Sequence, residues 1–231
     1  MVKIFYDAEF TGLWRDTSLI SIGMLSESGR TFYAEFTDYD QGQLNDWLKE
    51  NVIANLTNKG YNGNEVIRSS DNGSVFTLGH RDYVRDELIR WLEWESCYDR
   101  MKFIEEKKPW KWEKLQFITD CYAYDWMLLV DLITTGGTAI DMPDYIDYIP
   151  IDLSTILWCA GIDPDISREE YAEVNLRSFD KPLTPDLASQ SETMFRTDIN
   201  PPKHNSLFDA KVIRTCFEKT LKNNLSITPF N

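Results

Sequence analysis

Two carboxylates stand one residue apart near the N-terminus, in Asp7-Ala8-Glu9-Phe10-Thr11-Gly12-Leu13. Far along the chain, His204-Asn205-Ser206-Leu207-Phe208-Asp209-Ala210 places a histidine and an aspartate five apart at the start of a helical pattern. On a strand, alternate side chains share a face, so Asp7 and Glu9 point the same way. Like charges this close repel unless a cation neutralises them, and hard carboxylate oxygens suit Mg²⁺ or Mn²⁺. A histidine beside such a centre is a natural general base, because its pKa lies near neutrality. The combination can build a carboxylate pocket for two divalent ions with a base at its edge, the chemistry of phosphodiester hydrolysis. The plain alternatives are a solvated strand end, and a loop histidine unrelated to a helical aspartate.

If the helix starts at His204, residues five apart lie roughly 140° apart around its axis. If His204 precedes the first turn, its ring is free to swing back toward the acids while Asp209 meets them from the helix. Gly12 permits a tight turn that approaches a ligand closely. Leu13 and Trp14 then offer apolar surface just past the acids. A further carboxylate comes from mid-chain, where Asp120 and Asp125 compete. Asp125 follows a predicted strand and stands ahead of the apolar run Trp126 to Leu132, where it also reads as a plain N-cap. The pattern leaves both residues open. Arg15 and Lys203 flank the motifs and are phosphate-contact candidates by position.

These residues need elements to hold them. Residues 2–7 read as a buried strand, 18–25 as a second, and 30–36 as a third after a Ser-Glu-Ser-Gly turn, together an antiparallel meander. A short helix is expected over 43–50, then a long polar loop or insertion over 55–79. Val84, Leu88, Trp91 and Leu92 lie at helical spacing within 81–94. Residues 115–119 read as a strand, 125–132 and 152–159 as helices, and 204–222 as an amphipathic helix. His80 reads as a surface or capping residue. Segment 107–114, rich in Lys and Trp, is either a base-stacking patch or tryptophans folded onto the core. Strands followed by alternating helices and strands imply one α/β domain over 1–231, with insertions at 51–80 and 163–203.

The motif around Asp7, the segment Tyr122-Ala123-Tyr124-Asp125-Trp126 and the motif around His204 resemble, in order and spacing, the three exonuclease motifs of the DEDDh superfamily. That superfamily includes oligoribonuclease, ribonuclease T and polymerase proofreading domains. The likeness is closest to a small bacterial and phage branch of 3′–5′ exoribonucleases. It implies a ribonuclease-H-like mixed β-sheet flanked by α-helices. It further implies Asp7, Glu9, Asp125 and Asp209 as ligands of two Mg²⁺ or Mn²⁺ ions, and His204 as general base. Thr11, Gly12 and Leu13 would contact the terminal nucleotide, Leu13 as an apolar wedge. The implied substrate is the 3′ end of a single strand, RNA before DNA, released as nucleoside 5′-monophosphates. Relatives of this kind often pair, so a homodimer is part of the expectation.

Composition sets limits on these expectations. A formal charge of −14 argues against a protein that coats nucleic acid through counterion release. It is compatible with an enzyme gripping one strand end, where bound cations reverse the local field. The charge also motivates a rival, a catalytically silent module that binds a protein partner; a DNA-directed exonuclease is the nearer rival, because no residue in the sequence is marked as a 2′-OH contact. A phosphotransferase lacks its Gly-rich phosphate loop. Cys97, Cys121, Cys159 and Cys216 form no Cys-x-x-Cys pair, so four free thiols are expected. With no long apolar run and no secretory leader pattern, a cytoplasmic protein without membrane contact is expected.

Overall fold

The computed structural model describes residues 1–58, 66–97, 112–134, 137–173 and 203–224. Strand β1 (Val2–Phe10) runs antiparallel to β2 (Leu19–Ser26), which runs antiparallel to β3 (Thr31–Phe36). This is the meander read from the sequence. The chain continues through α1 (Asp46–Asn51), β4 (Ile67–Asp71), β5 (Ser74–Gly79) and α2 (Arg81–Ser96). Then come β6 (Leu115–Thr119), α3 (Tyr122–Ile133), β7 (Ile151–Asp152), α4 (Leu153–Cys159), α5 (Arg168–Ala172) and α6 (Ser206–Asn224). Among the described residues the strands form one mixed sheet in the order β4-β5-β3-β2-β1-β6-β7, with β1 and β6 parallel. Flanked by helices, it is an α/β architecture consistent with the ribonuclease-H-like fold.

Strand alternation decides which helix meets which residue. Ile4, Tyr6 and Ala8 face a core built with Val84, Leu88 and Leu92 of α2 and Leu129 of α3. Phe5 faces the opposite core, with Leu153 and Leu157 of α4 and Phe208, Val212 and Ile213 of α6. Asp7 and Glu9 have the parity of Phe5, so they emerge on the α6 face. Glu9 is the last residue before a register shift at Glu9/Phe10, an irregularity of the kind that re-aims side chains beside functional sites.

Helix α6 approaches because Gly23, the β2 partner of Asp7, has no side chain. A Cβ there would lie 2.2 Å from the Leu207 backbone nitrogen and 2.3 Å from the Ser206 carbonyl carbon. Next to it, the hydroxyls of Ser21 and Ser206 bond at 3.0 Å, both buried.

Several elements differ from expectation. The polar stretch 55–79 contains the β4–β5 hairpin, turned by Asn72-Gly73 with both φ positive, the usual signature of a tight primed turn. Periodicity was weak there because β4 carries polar residues such as Arg68 and Ser70. The helix expected over 43–50 divides into a 3₁₀ turn, Gln41–Gln43, and α1, whose start Asn45 caps by accepting from the Leu48 N–H at 2.8 Å. Helix α3 starts three residues ahead of Asp125, which therefore lies in the first turn and is no N-cap. His80 does cap, its Nδ1 accepting from the Tyr83 N–H at the start of α2. Residues 107–111 and 174–202 lie outside the described residues, so most of the expected 163–203 insertion is not described. Trp112 stacks on Tyr145 with centroids 5.2 Å apart. No disulfide joins any of the four cysteines. Among the described residues no helix is long and apolar enough to cross a membrane.

The Gly23 contact gives a direct test. Gly23→Ala should destabilise the fold by about 1–3 kcal/mol, the usual cost of overpacking. Because α6 must lift, the variant should also lose divalent-ion affinity. Chemical denaturation and calorimetric metal titration would check both.

Candidate active site

Asp7, Glu9, Asp125, His204 and Asp209 line one cavity of about 580 Å³ at the C-terminal end of β1. Ligand sites of α/β sheets favour that end of the strands. Asp125 and Asp209 both occupy the first turn of a helix, one on each face of the sheet, where the helix dipole favours a negative charge. The Tyr6 hydroxyl donates to the Asp125 carbonyl at 3.1 Å and ties the start of α3 to β1.

His204 stands ahead of α6 in a left-handed conformation, φ 66°. That position lets its ring turn back: Nδ1 lies 3.8 Å from Glu9 Oε1. Its backbone N–H donates to Asp209 Oδ2 at 3.1 Å. The Trp47 indole packs against the imidazole at 5.1 Å with an interplanar angle of 74°. The turn is anchored through Asn205, whose Oδ1 accepts from the Phe208 N–H and whose Nδ2 donates to the Asn55 carbonyl and the Tyr33 hydroxyl. Asn55 in turn donates to the Lys203 carbonyl at 2.8 Å.

The acids are electrostatically frustrated. Burial, then the charges of Asp209, Asp125 and Glu9, push Asp7 well above the ordinary carboxylate range. Burial, then Asp209 and Asp125, push Glu9 to about 8. Burial raises Asp125 to about 7 against opposing hydrogen bonds from Thr119 and backbone, and burial with Glu169 raises Asp209 to about 7. His204 moves down, from burial and then Lys203, which keeps its ring neutral at neutral pH. Burial and the nearby Asp125 hold the Cys121 thiol at about 11, so it stays protonated and offers no thiolate.

The donor set fits a hard divalent cation. Asp125 is 1% exposed, and its Oδ1 has no hydrogen-bond partner while Oδ2 accepts from the Thr119 hydroxyl. A buried carboxylate oxygen left without a partner is costly, and a cation would satisfy it. Glu9, His204 and Asp209 offer ligand atoms all within 4.8 Å of one another.

The mid-chain rivals separate cleanly. Asp120 also lines the cavity, but its carboxylate is gripped by the Arg168 guanidinium at 2.6–2.9 Å and by the Ser154 hydroxyl at 3.2 Å. Among the described residues Asp125 has no such counter-cation. Gly12 and Leu13 line the cavity, and Leu13 is 67% exposed. Thr11 is fully buried and is not among the lining residues. Its hydroxyl bonds to Gln43, lies 3.1 Å from the Thr17 hydroxyl and accepts from the Ser18 N–H at 2.9 Å, so the side chain braces the turn. Lys203 lines the cavity with Nζ 3.3 Å from Glu169 Oε1, whereas Arg15 is exposed and outside it. Trp126 is buried against Phe117.

Sequence reasoning overlooked Trp47, Arg168 and Glu169. The Ser167-Arg168-Glu169-Glu170 run carries a capping signal, since Ser167 accepts from the Glu170 N–H, and this could have located α5. No local signal links Trp47 to His204.

No protein-family model matches the chain. Over 55 residues, 24% of its length, it is 36% identical to two curated proteins named 3′–5′ exoribonuclease, from two strains of Mycobacterium tuberculosis. The match spans 33% of the length of each of those relatives.

The raised carboxylates make stability depend on pH. Their folded pKa values, about 7 to 8, exceed ordinary values of 3.8 and 4.5, so folding takes up protons. That contribution is complete below about pH 4 and lost as pH rises through about 8. In chelator, the melting temperature should therefore fall between about pH 5 and pH 8, and millimolar Mg²⁺ should abolish the fall. A flat profile in chelator would show that neither burial nor neighbouring charge raises these acids.

Proposed function

We propose that this chain is a single-domain, metal-dependent 3′–5′ exonuclease that removes nucleoside 5′-monophosphates from single-stranded 3′ ends, RNA before DNA. The observation that carries the reading is the convergence of Asp7, Glu9, Asp125, His204 and Asp209 on one concave site from both ends and the middle of the chain. The partial likeness to proteins named 3′–5′ exoribonuclease supports the direction and the preference for RNA.

Asp7, Glu9, Asp125 and Asp209 would hold two Mg²⁺ or Mn²⁺ ions. When bound, such a pair supplies activation of water and charge stabilisation at the leaving 3′ oxygen. His204 accepts the proton of the attacking water. A proton taken at Nδ1 lies 3.8 Å from Glu9 Oε1, and that carboxylate, once ionised beside a bound cation, steadies the resulting imidazolium. Trp47 keeps the ring from turning away. Thr11 braces the turn that presents Gly12 and Leu13, and exposed Leu13 with half-exposed Trp47 offers apolar surface to a terminal base. Such stacking contributes about 1–3 kcal/mol per base. Lys203 is paired with Glu169 at 3.3 Å and Arg168 with Asp120; Lys203, much the more exposed of the two, is the cation better placed to exchange its partner for a phosphate.

End-labelled RNA and DNA oligomers of one sequence, incubated with Mg²⁺, Mn²⁺ or chelator, test the reading. RNA should shorten from its 3′ end only with metal, and faster than DNA. Asp7→Asn should abolish cleavage. His204→Ala should lower turnover by about 10²–10⁴, the typical worth of a general base, with Mg²⁺ affinity unchanged. Faster DNA digestion would transfer the activity to DNA; inertness toward both polymers with metal present would end the proposal.

A further inference from the structure

Within the cavity, Glu9, His204 and Asp209 form a corner with a mixed nitrogen and oxygen donor set. The geometry points to a second use of it: a borderline-soft divalent cation, Zn²⁺ above all, is held by Glu9, His204 and Asp209 together, with His204 converted from proton acceptor to ligand. Zn²⁺ sits about 2.0–2.2 Å from imidazole nitrogen and carboxylate oxygen, so two ligands on one ion are roughly 4 Å apart at most. The three donors already lie within 4.8 Å of one another, so closure needs shifts of about 1 Å.

Three features make this corner more than a group of acids. The His204 N–H bond to Asp209 Oδ2, 3.1 Å long, moves the two residues as a unit. The Trp47 indole backs the imidazole from the side. Independently, Asp125 lines the same cavity, and its buried Oδ1 has no hydrogen-bond partner among the described residues, a surplus of negative charge that favours a cation nearby.

Ion chemistry separates the two uses. Imidazole suits Zn²⁺, whereas Mg²⁺ prefers carboxylate and water and gives up its water reluctantly. A hard ion therefore leaves the His204 ring free; a borderline one takes its lone pair. Zn²⁺ then binds more tightly than Mg²⁺ and silences cleavage, because the ring no longer accepts a proton. This inhibition rests on the exonuclease reading; the coordination does not.

The chain has two histidines, His80 and His204, which makes the test clean. In the full chain labelled with ¹⁵N-histidine, Zn²⁺ should shift the ring nitrogens of His204 and leave His80, the cap of α2, unchanged. Mg²⁺ should give neither ring a coordination shift. By calorimetry, His204→Asn, which tolerates the left-handed backbone, should weaken Zn²⁺ binding by at least about tenfold, the least that even outer-shell partners contribute. Its Mg²⁺ affinity should stay within about twofold. Unmoved His204 resonances at saturating Zn²⁺, or equal Zn²⁺ affinity in the variant, would overturn the coordination and leave the exonuclease reading standing. Absence of Mg²⁺-dependent cleavage would do the reverse.

Discussion

Burial of four carboxylates around one strand end is the constraint on which the rest of this structure depends. Asp7, Glu9, Asp125 and Asp209 each sit above their ordinary pKa, burial being the first cause, with neighbouring acids adding to the shift. Such a group does not assemble for its own stability; the surrounding packing must impose it. The two apolar cores do so. One fastens α3 to the Ile4 and Tyr6 face of β1, the other fastens α6 to the Phe5 face, and each helix carries an acid in its first turn to the same strand end.

Small residues set how closely α6 approaches. Gly23 removes the side chain opposite Asp7, and the Ser21–Ser206 bond replaces an apolar contact with a directional one. Beyond it, the turn that holds His204 is tethered through Asn205 and Asn55, while Glu35 accepts from Tyr33 and from the Thr57 and Asn58 N–H groups in the same region. A buried polar network of this kind fixes one geometry because every misplacement leaves a donor or acceptor unpaired.

The parts of the site legible in the sequence are those set by local periodicity. Alternation on β1 placed Asp7 and Glu9 on one face; for His204 the pattern left two positions open, in the helix or ahead of it, and the helix starts two residues later, at Ser206. That Asp120 is paired with Arg168 was not legible, because the two stand 48 residues apart. Thr11 illustrates a different limit. The family resemblance implied a substrate contact, yet the hydroxyl turns inward to Gln43, a partner 32 residues away. The β4–β5 hairpin was obscured by polar strand residues, although its Asn72-Gly73 turn was in plain view.

The pairing of Ser21 with Ser206 closes 185 residues of chain. Loop entropy grows only logarithmically, so this costs about 2 kcal/mol more than closing ~20 residues would. The larger consequence is temporal. Distant contacts form late, and synthesis proceeds from the N-terminus, so β1, β2 and β3 can pair long before α6 leaves the ribosome. The nascent chain then carries Asp7 and Glu9 but neither His204 nor Asp209, so the carboxylate cavity is completed only when the last described helix docks.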